Sequence, residues 1–230
     1  IISLVAKTSE ECGFHSLWSP EHIVLLDEYS SKYPYNPDGK MGFAPEEMDF
    51  LDPFLALTYA AAETNTIRLG TGICLVPERN PLVTAKEVAS LDRLSGGRFD
   101  FGVGIGWLKE EFETLDTADF ALRGKVTDEY LEIFKAMCAG GEVGFTGETY
   151  RFAPVHSVPG SLQKPHPPIL IGGVSNPALR RVVRHGSGWL AVSLGAEQIP
   201  ERISTLKRIS EENGRAFDEL EMVYKIGFKP

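Results

Sequence analysis

LDRLSGGRFDFGVGIGW, residues 91–107, is the stretch on which the fold turns. Leu91 and Leu94 close an apolar helical stripe, and Gly96-Gly97 can supply the left-handed residue that ends a helix. Phe99, Phe101, Val103 and Ile105 then fall at every second position, the period of a short buried strand. Gly102, Gly104 and Gly106 occupy the alternate positions, and Trp107 follows. Glycine weakens a strand, because it loses the most entropy on ordering and packs nothing. Two accounts fit these glycines: a flat molecule lying against the backbone, or a barrel corner where another element packs close. The spacing G-x-G-x-G follows the third visible strand and is not the G-x-G-x-x-G of a dinucleotide fingerprint, so a Rossmann reading is weak.

Working outward, the same helix–strand alternation recurs. Residues 1–12 carry a loose helical pattern stopped by Gly13, and Phe14–Trp18 reads as a strand. Residues 23–52 have no clear period but hold Tyr29, Tyr33, Tyr35 and Phe43 among Pro, Gly and Asn, as in a lid or substrate wall. Asp52-Pro53 and Asn80-Pro81 each place a capping residue before a proline, the signal of a helix start, and residues 67–76 between those helices read as one strand. After 107, a short acidic segment (109–116) leads to a helix at 123–139. A small hairpin at 143–153, an extended proline-rich segment, and strands at 168–173, 188–192 and 220–228 follow, with a helix starting at Asn176-Pro177 and another at 199–213.

Six strands separated mostly by helices argue for a parallel sheet, which a doubly wound fold or a (β/α)8 TIM barrel would both provide. Two features favour the barrel. The chain opens on a helix and closes on a strand, as though a first strand and a last βα unit were absent, and it begins with Ile1-Ile2, which leads us to expect sequence ahead of it. The unusual residues also sit after several different strands: Glu21 and His22, Gly72, Gly104 to Trp107, and Gly172-Gly173. A barrel gathers all of those at its C-terminal face, whereas in a doubly wound sheet they would not all converge on one crevice. We read residues 1–230 as a single barrel domain, with 23–52 and 140–168 as insertions at the active-site face.

Composition narrows the partners. Of 230 residues, 43% are hydrophobic, enough for a sizeable core, and the formal net charge is −9 with no basic stripe. Nucleic acid and anionic membrane are therefore poor candidates as partners. Cys12, Cys74 and Cys138 are far apart and read as buried thiols of a cytoplasmic protein, not as disulfides or metal ligands. His156, His166 and His185 show no metal-ligand spacing, and no G-x-S-x-G elbow occurs. Glu21-His22 beyond a strand end could handle a proton near neutral pH, although sequence neighbours point apart. Gly172-Gly173 before Asn176-Pro177 suits either an anion at a helix N-terminus or an ordinary βα loop.

Together, GFHSLWSPEH (13–22), residues 67–107, PHPPILIGG (165–173) and GSGWLAV (186–192) resemble the luciferase-like monooxygenase superfamily, in particular its coenzyme F420-dependent oxidoreductases. The resemblance runs from about residue 10 to the end and implies a (β/α)8 barrel, hydride transfer between the deazaflavin and a small organic substrate, and a homodimer. It implies a non-proline cis peptide at Gly72-Ile73 behind the cofactor ring, Glu21 and His22 near its reactive part, and Gly104, Ile105, Gly106 and Trp107 along it. Gly172, Gly173 and Val174 match the phosphate side, and His22 is the candidate proton carrier. Trp107 stands where some deazaflavin members carry a catalytic glutamate, so the reaction cannot be copied from them. An FMN-dependent monooxygenase is the alternative on the same scaffold, and a non-catalytic flavin-binding barrel is the alternative of another class.

Overall fold

A computed structural model describes residues 1–225 other than 43 and 193, so Phe43 of the aromatic loop and residues 226–228 of the expected last strand lie outside the described residues. The chain alternates α1 (Ile2–Glu11), β1 (Ser16–Ser19), α2 (Pro53–Glu63), β2 (Arg68–Thr71), β3 (Cys74–Leu75), α3 (Pro81–Leu94) and β4 (Phe99–Gly104). It continues through α4 (Lys109–Leu115), α5 (Arg123–Ala139), the hairpin β5 (Gly141–Thr146) and β6 (Arg151–Ser157), then β7 (Ile169–Gly172), α6 (Asn176–His185), β8 (Gly188–Val192), α7 (Ile199–Glu212) and β9 (Glu221–Lys225).

Strand order decides between the two α/β architectures. The main sheet runs β1-β2-β4-β7-β8-β9, with β3 also paired to β4, and every pairing in it is parallel. The order never reverses, so there is no switch point of the kind that defines a doubly wound sheet. Successive right-handed crossovers in one direction put the helices on one face and curl the sheet, giving part of a (β/α)8 barrel.

Both proline-marked caps form. Asp52 Oδ1 accepts the Leu55 N–H at 3.0 Å, and Asn80 Oδ1 accepts those of Leu82 and Val83 at 3.0 and 3.2 Å. Phe99 and Phe101 of β4 face the helices and meet Phe54 of α2 and Phe134 of α5, with ring centroids 5.1–6.5 Å apart. Such rings carry much of a core's burial energy, about 1.5–3 kcal/mol each.

The alternate positions of β4 face the barrel interior and settle the question raised by the glycines. A side chain at Gly102 would collide with the Thr71 carbonyl, and one at Gly104 with the Ile73 side chain. Gly70 is likewise covered by the Trp18 ring. Close packing by neighbouring strands therefore accounts for these glycines without a ligand.

Four expectations need correction. Residues 67–76 are not one strand: β2 and β3 are separated by Gly72-Ile73, whose peptide is cis. Residues 109–116 are not merely an acidic connection, since 109–115 form α4, anchored by buried Leu108 and Phe112 one helical turn apart. The period of so short a helix has no room to show in sequence. Cys12 is exposed, because it lies just past the last turn of α1, whose buried residue is Ala6; Cys74 and Cys138 are buried as expected. The hairpin is longer than 143–153, spanning 141–157.

The 140–168 segment runs the height of the molecule. Its tip is held by Glu129 of α5, which accepts N–H bonds from Glu148, Thr149 and Tyr150, and Tyr150 Oη reaches Asn80 at the start of α3. Its far end is tied to the opposite side: buried Asp92, near the end of α3, accepts the Leu162 and Gln163 N–H groups at 2.6 and 2.9 Å, and Gln163 donates to the Phe99 carbonyl at the start of β4. Among the described residues no helix is long and apolar enough to cross a membrane.

Candidate active site

Parallel strands share one C-terminal edge, so the segments after β1, β2, β4 and β7 all open on the same face. That brings Glu21 and His22, Gly72 and Ile73, the turn Ile105–Trp107, and Gly172 to Val174 to one end of the barrel. Ile73 joins three of these groups directly: its side chain lies over Gly104 and against Gly172, so each lacks a side chain where Ile73 packs.

Glu21 and His22 diverge. Glu21 is buried and fully engaged: one oxygen accepts the Leu75 N–H at 2.5 Å, the other the Arg79 guanidinium, with Nε at 2.7 Å. Arg79 also reaches Asp52 at 2.5 Å and lies over the Phe54 ring. Glu21 therefore pins the end of β1 to β3 and to α2, and its carboxylate is not brought to His22.

His22 pairs instead with a residue the sequence did not single out. Its Nδ1 stands 2.7 Å from Glu111 Oε2 in α4. Glu111 has no exposed surface, and its other oxygen accepts the N–H groups of Ile23 and Val24 at 2.8 and 3.1 Å. A carboxylate already accepting backbone donors is the natural acceptor for Nδ1–H, which leaves Nε2 of the neutral ring as a proton acceptor. Among the described residues Nε2 has no hydrogen-bond partner. The signals that could have pointed to Glu111 are two acidic residues in the first turn of a helix beginning just after Trp107.

The adjoining carboxylate holds the aromatic loop. Glu110 Oε1 accepts from Ser30 N and Oγ, both at 2.7 Å, and from Ser31 N at 3.1 Å. Burial alone would raise the Glu110 pKa, but these bonds outweigh it and hold the carboxyl down to about 2. The loop's rings then close on the turn after β4. Trp107 meets Tyr29, Tyr33 and His22 edge-on at 5.5, 5.1 and 6.2 Å, and Phe50 stacks on His22 at 6.2 Å. Trp107 thus stands in the wall around His22, whereas Trp189 is buried and donates to the Gly173 carbonyl at 2.7 Å.

Gly173 has φ +107°, a conformation that favours glycine, and Ser175 caps α6 by accepting the Ala178 N–H at 3.4 Å. The Val174 N–H makes no hydrogen bond among the described residues, so a donor is left at a helix N-terminus on the active face. His156, His166 and His185 are elsewhere: His166 Nδ1 contacts the Pro167 carbonyl and His185 Nδ1 contacts Glu132. Among the described residues no group of three or more His, Cys, Asp or Glu is arranged to hold a metal ion.

A histidine–carboxylate pair, an aromatic wall and an anion-competent turn gathered at one mouth of a barrel define a class of candidate site, that of a barrel enzyme with its site at the C-terminal face. The chain belongs to the luciferase-like monooxygenase family, whose model matches residues 3–228. A functionally uncharacterized protein of Mycobacterium bovis is 34% identical over 211 residues, 92% of this chain and 72% of that protein. The monooxygenase RslO1 from Streptomyces bottropensis superposes with a TM-score of 0.74 at 29% identity, over 94% of this chain. The chain spans 60% of the length of that structure. An F420-dependent secondary alcohol dehydrogenase superposes with a TM-score of 0.78 at 18% identity, over 96% of this chain and 63% of its own, a likeness of fold. Family and fold thus make this a luciferase-like oxidoreductase or monooxygenase scaffold of the kind that serves both F420 and FMN enzymes.

Proposed function

We propose that the protein is an oxidoreductase that transfers a hydride between coenzyme F420 and a small organic substrate, with His22 moving the accompanying proton. The observation that carries this reading is the His22–Glu111 pair at the barrel mouth, 2.7 Å apart and walled by Trp107, Tyr29 and Phe50. When bound, the deazaflavin supplies the hydride acceptor or donor. The backbone at Gly72-Ile73 and the turn Ile105–Trp107 would flank its ring, and the Val174 N–H with the N-terminus of α6 would meet its phosphate. The unpartnered Val174 donor and the side-chain-free turn at Gly172-Gly173 fit that group. Glu21 supports the site indirectly, through Leu75 and Arg79.

In this scheme Glu111 fixes the His22 ring and its tautomer, and Nε2 takes the proton from a substrate hydroxyl or returns it. The aromatic loop excludes water, and its rings favour an uncharged organic substrate. A second reading, an FMN-dependent monooxygenase, is favoured by the 29% identity to the monooxygenase RslO1. The working unit in either case is taken to be a cytoplasmic homodimer, which light scattering after size exclusion would test. Fluorescence titration of the purified protein with F420 and with FMN separates the two readings. Saturable binding of F420 supports the first, binding of FMN alone supports the second, and an intact fold that binds neither overturns both.

A further inference from the structure

A cavity opens at the end of the barrel opposite the mouth. It lies where Pro168 enters β7, Ser187 enters β8 and Arg215 leads from α7 toward β9, all on the N-terminal edge of the parallel sheet. Its volume is about 490 Å³. Lys135, Lys164, Arg184 and Arg215 line it with the imidazoles of His166 and His185, and among the described residues no carboxylate does. These groups are spread from position 135 to position 215, so no basic stripe marks them in the sequence, and the chain as a whole carries a net charge of −9.

Local duties account for Lys135, Lys164 and Arg215 but not for Arg184. Lys164 Nζ reaches the Ala139 carbonyl at the end of α5 at 3.4 Å, and Arg215 donates to the Val182 and Val183 carbonyls near the end of α6 at 3.2 and 2.8 Å, the usual service of cations at helix C-termini. Lys135 stands 3.1 Å from Glu132, whose same oxygen lies 2.7 Å from His185 Nδ1. Arg184 has no ion pair and no side-chain hydrogen bond among the described residues, although it shares the cavity wall with the other cations. Ser187 adds a donor: its Oγ accepts the Ile169 N–H at 3.1 Å, and its own hydroxyl hydrogen has no acceptor among the described residues. The charges do not cancel. Glu132 offsets one cation, and the C-terminal ends of α5 and α6, at about half a negative charge each, offset another, so about two positive charges stay unbalanced around one space.

We propose that this cavity binds a small multivalent oxyanion of the phosphate class, with Arg184 as its central ligand. The free guanidinium of Arg184 presents two parallel N–H donors to two oxygens of one phosphate group. Lys135 and Lys164 meet the remaining charge as mobile point charges, and the Ser187 hydroxyl supplies a neutral donor. A concave site of this volume suits a small molecule rather than a polymer laid along a surface. Bound there, the anion ties the ends of α5 and α6 to the 164–168 segment and to Arg215, and so stabilises the fold from the end remote from the mouth. Val174, where the cofactor phosphate is proposed to sit, lies beyond the other end of β7, so this site does not depend on the F420 reading.

The test is an amide NMR titration of the full chain with inorganic pyrophosphate, beside a sodium chloride titration at matched ionic strength. Saturable shifts should appear at His166, at Arg184 to Ser187 and at Arg215, and pyrophosphate should raise the thermal unfolding midpoint, as a ligand of the native chain does. Arg184→Ala should weaken binding about tenfold or more, the loss expected for a charge-assisted hydrogen bond. Arg208→Ala, which removes an exposed cation of α7 outside the cavity, should leave binding unchanged. Shifts no larger than those in chloride, shifts confined to Val174–Asn176 at the mouth, or equal affinity in Arg184→Ala would each overturn the proposal. Arg184 is exposed, so its variant should fold, and the wild-type shift map locates the site even if it does not.

Discussion

His22 Nδ1 lies 2.7 Å from Glu111 Oε2, a contact between residues 89 positions apart, and the Glu111 residue is wholly buried. A carboxylate in that position does two things at once. It fixes the imidazole tautomer, and through Ile23 and Val24 it holds the start of the aromatic loop. Its partner Glu110 holds the same loop at Ser30 and Ser31, so one turn of α4 fastens the loop at two points.

Glu111→Gln should therefore lower turnover by about 10²-fold, the range typical for a misdirected general base. The amide still offers an oxygen to Ile23 and Val24 but presents an N–H₂ group to Nδ1, which favours the wrong tautomer. Cofactor affinity should change far less. Steady-state kinetics beside fluorescence titration checks this; unchanged turnover, or an equal loss in cofactor binding, would count against the role.

Glu78, in the turn after β3, is 4% exposed with neither oxygen hydrogen-bonded among the described residues, and burial pushes its carboxyl up to about 9, so Glu78→Gln should make the folded protein less sensitive to rising pH. A raised folded pKa means that the native state holds a proton which the unfolded state releases above 4.5, so wild-type stability falls as pH rises from there toward 9. Relative to wild type, the variant should gain up to about 1.4 kcal/mol per pH unit across that window, reduced by whatever water reaches the site. Urea denaturation of both proteins at several pH values reads the difference, and parallel curves would show that Glu78 titrates normally.

Acid should release the aromatic loop. Glu110 is held down to about 2, so its contribution to loop anchoring is complete above its ordinary value of 4.5 and is lost as pH falls from there toward 2. Amide exchange at Ser30 and Ser31 should accelerate over that interval in wild type. In Glu110→Ala it should be fast at neutral pH already. Slow exchange in the variant would mean that the rings and Glu111 hold the loop without Glu110.

Arg98→Ala should destabilise the fold by about 2 kcal/mol with no change in the denaturant slope. Arg98 donates to the Ala61 and Thr64 carbonyls at the end of α2, at 3.0 and 3.1 Å, and to the Ile67 carbonyl beside β2 at 2.8 Å. It thus satisfies helix-terminal acceptors that would otherwise lack partners. Chemical denaturation measures the loss, and a change below about 0.5 kcal/mol would show that water replaces the guanidinium.

Much of the architecture could be read locally. Asp52-Pro53 and Asn80-Pro81 carry their helix starts within three residues, and Phe99-x-Phe101-x-Val103 carries the strand in its own period. The gathering of four strand ends on one face followed from the alternation of elements, since parallel strands share an edge. The expected cis peptide at Gly72-Ile73 is present, though it rested on a resemblance and not on any local preference of those two residues. By contrast, α4 was too short to show a period, and Cys12 was assigned to a core from which the end of α1 excludes it.

By itself, then, the sequence determined the order and type of the elements and which glycines had to stay free of side chains, because caps, periodicity and backbone strain act over a few residues. Only the tertiary structure decided what fills the space above those glycines: Ile73 over Gly104, Trp18 over Gly70 and Glu78 beneath Gly106. It also decided that His22 turns from its neighbour Glu21 to Glu111, while Glu21 turns to Arg79. Those pairings are set by where curled strands and their helices meet, a geometric condition on the whole chain that leaves no local pattern in it.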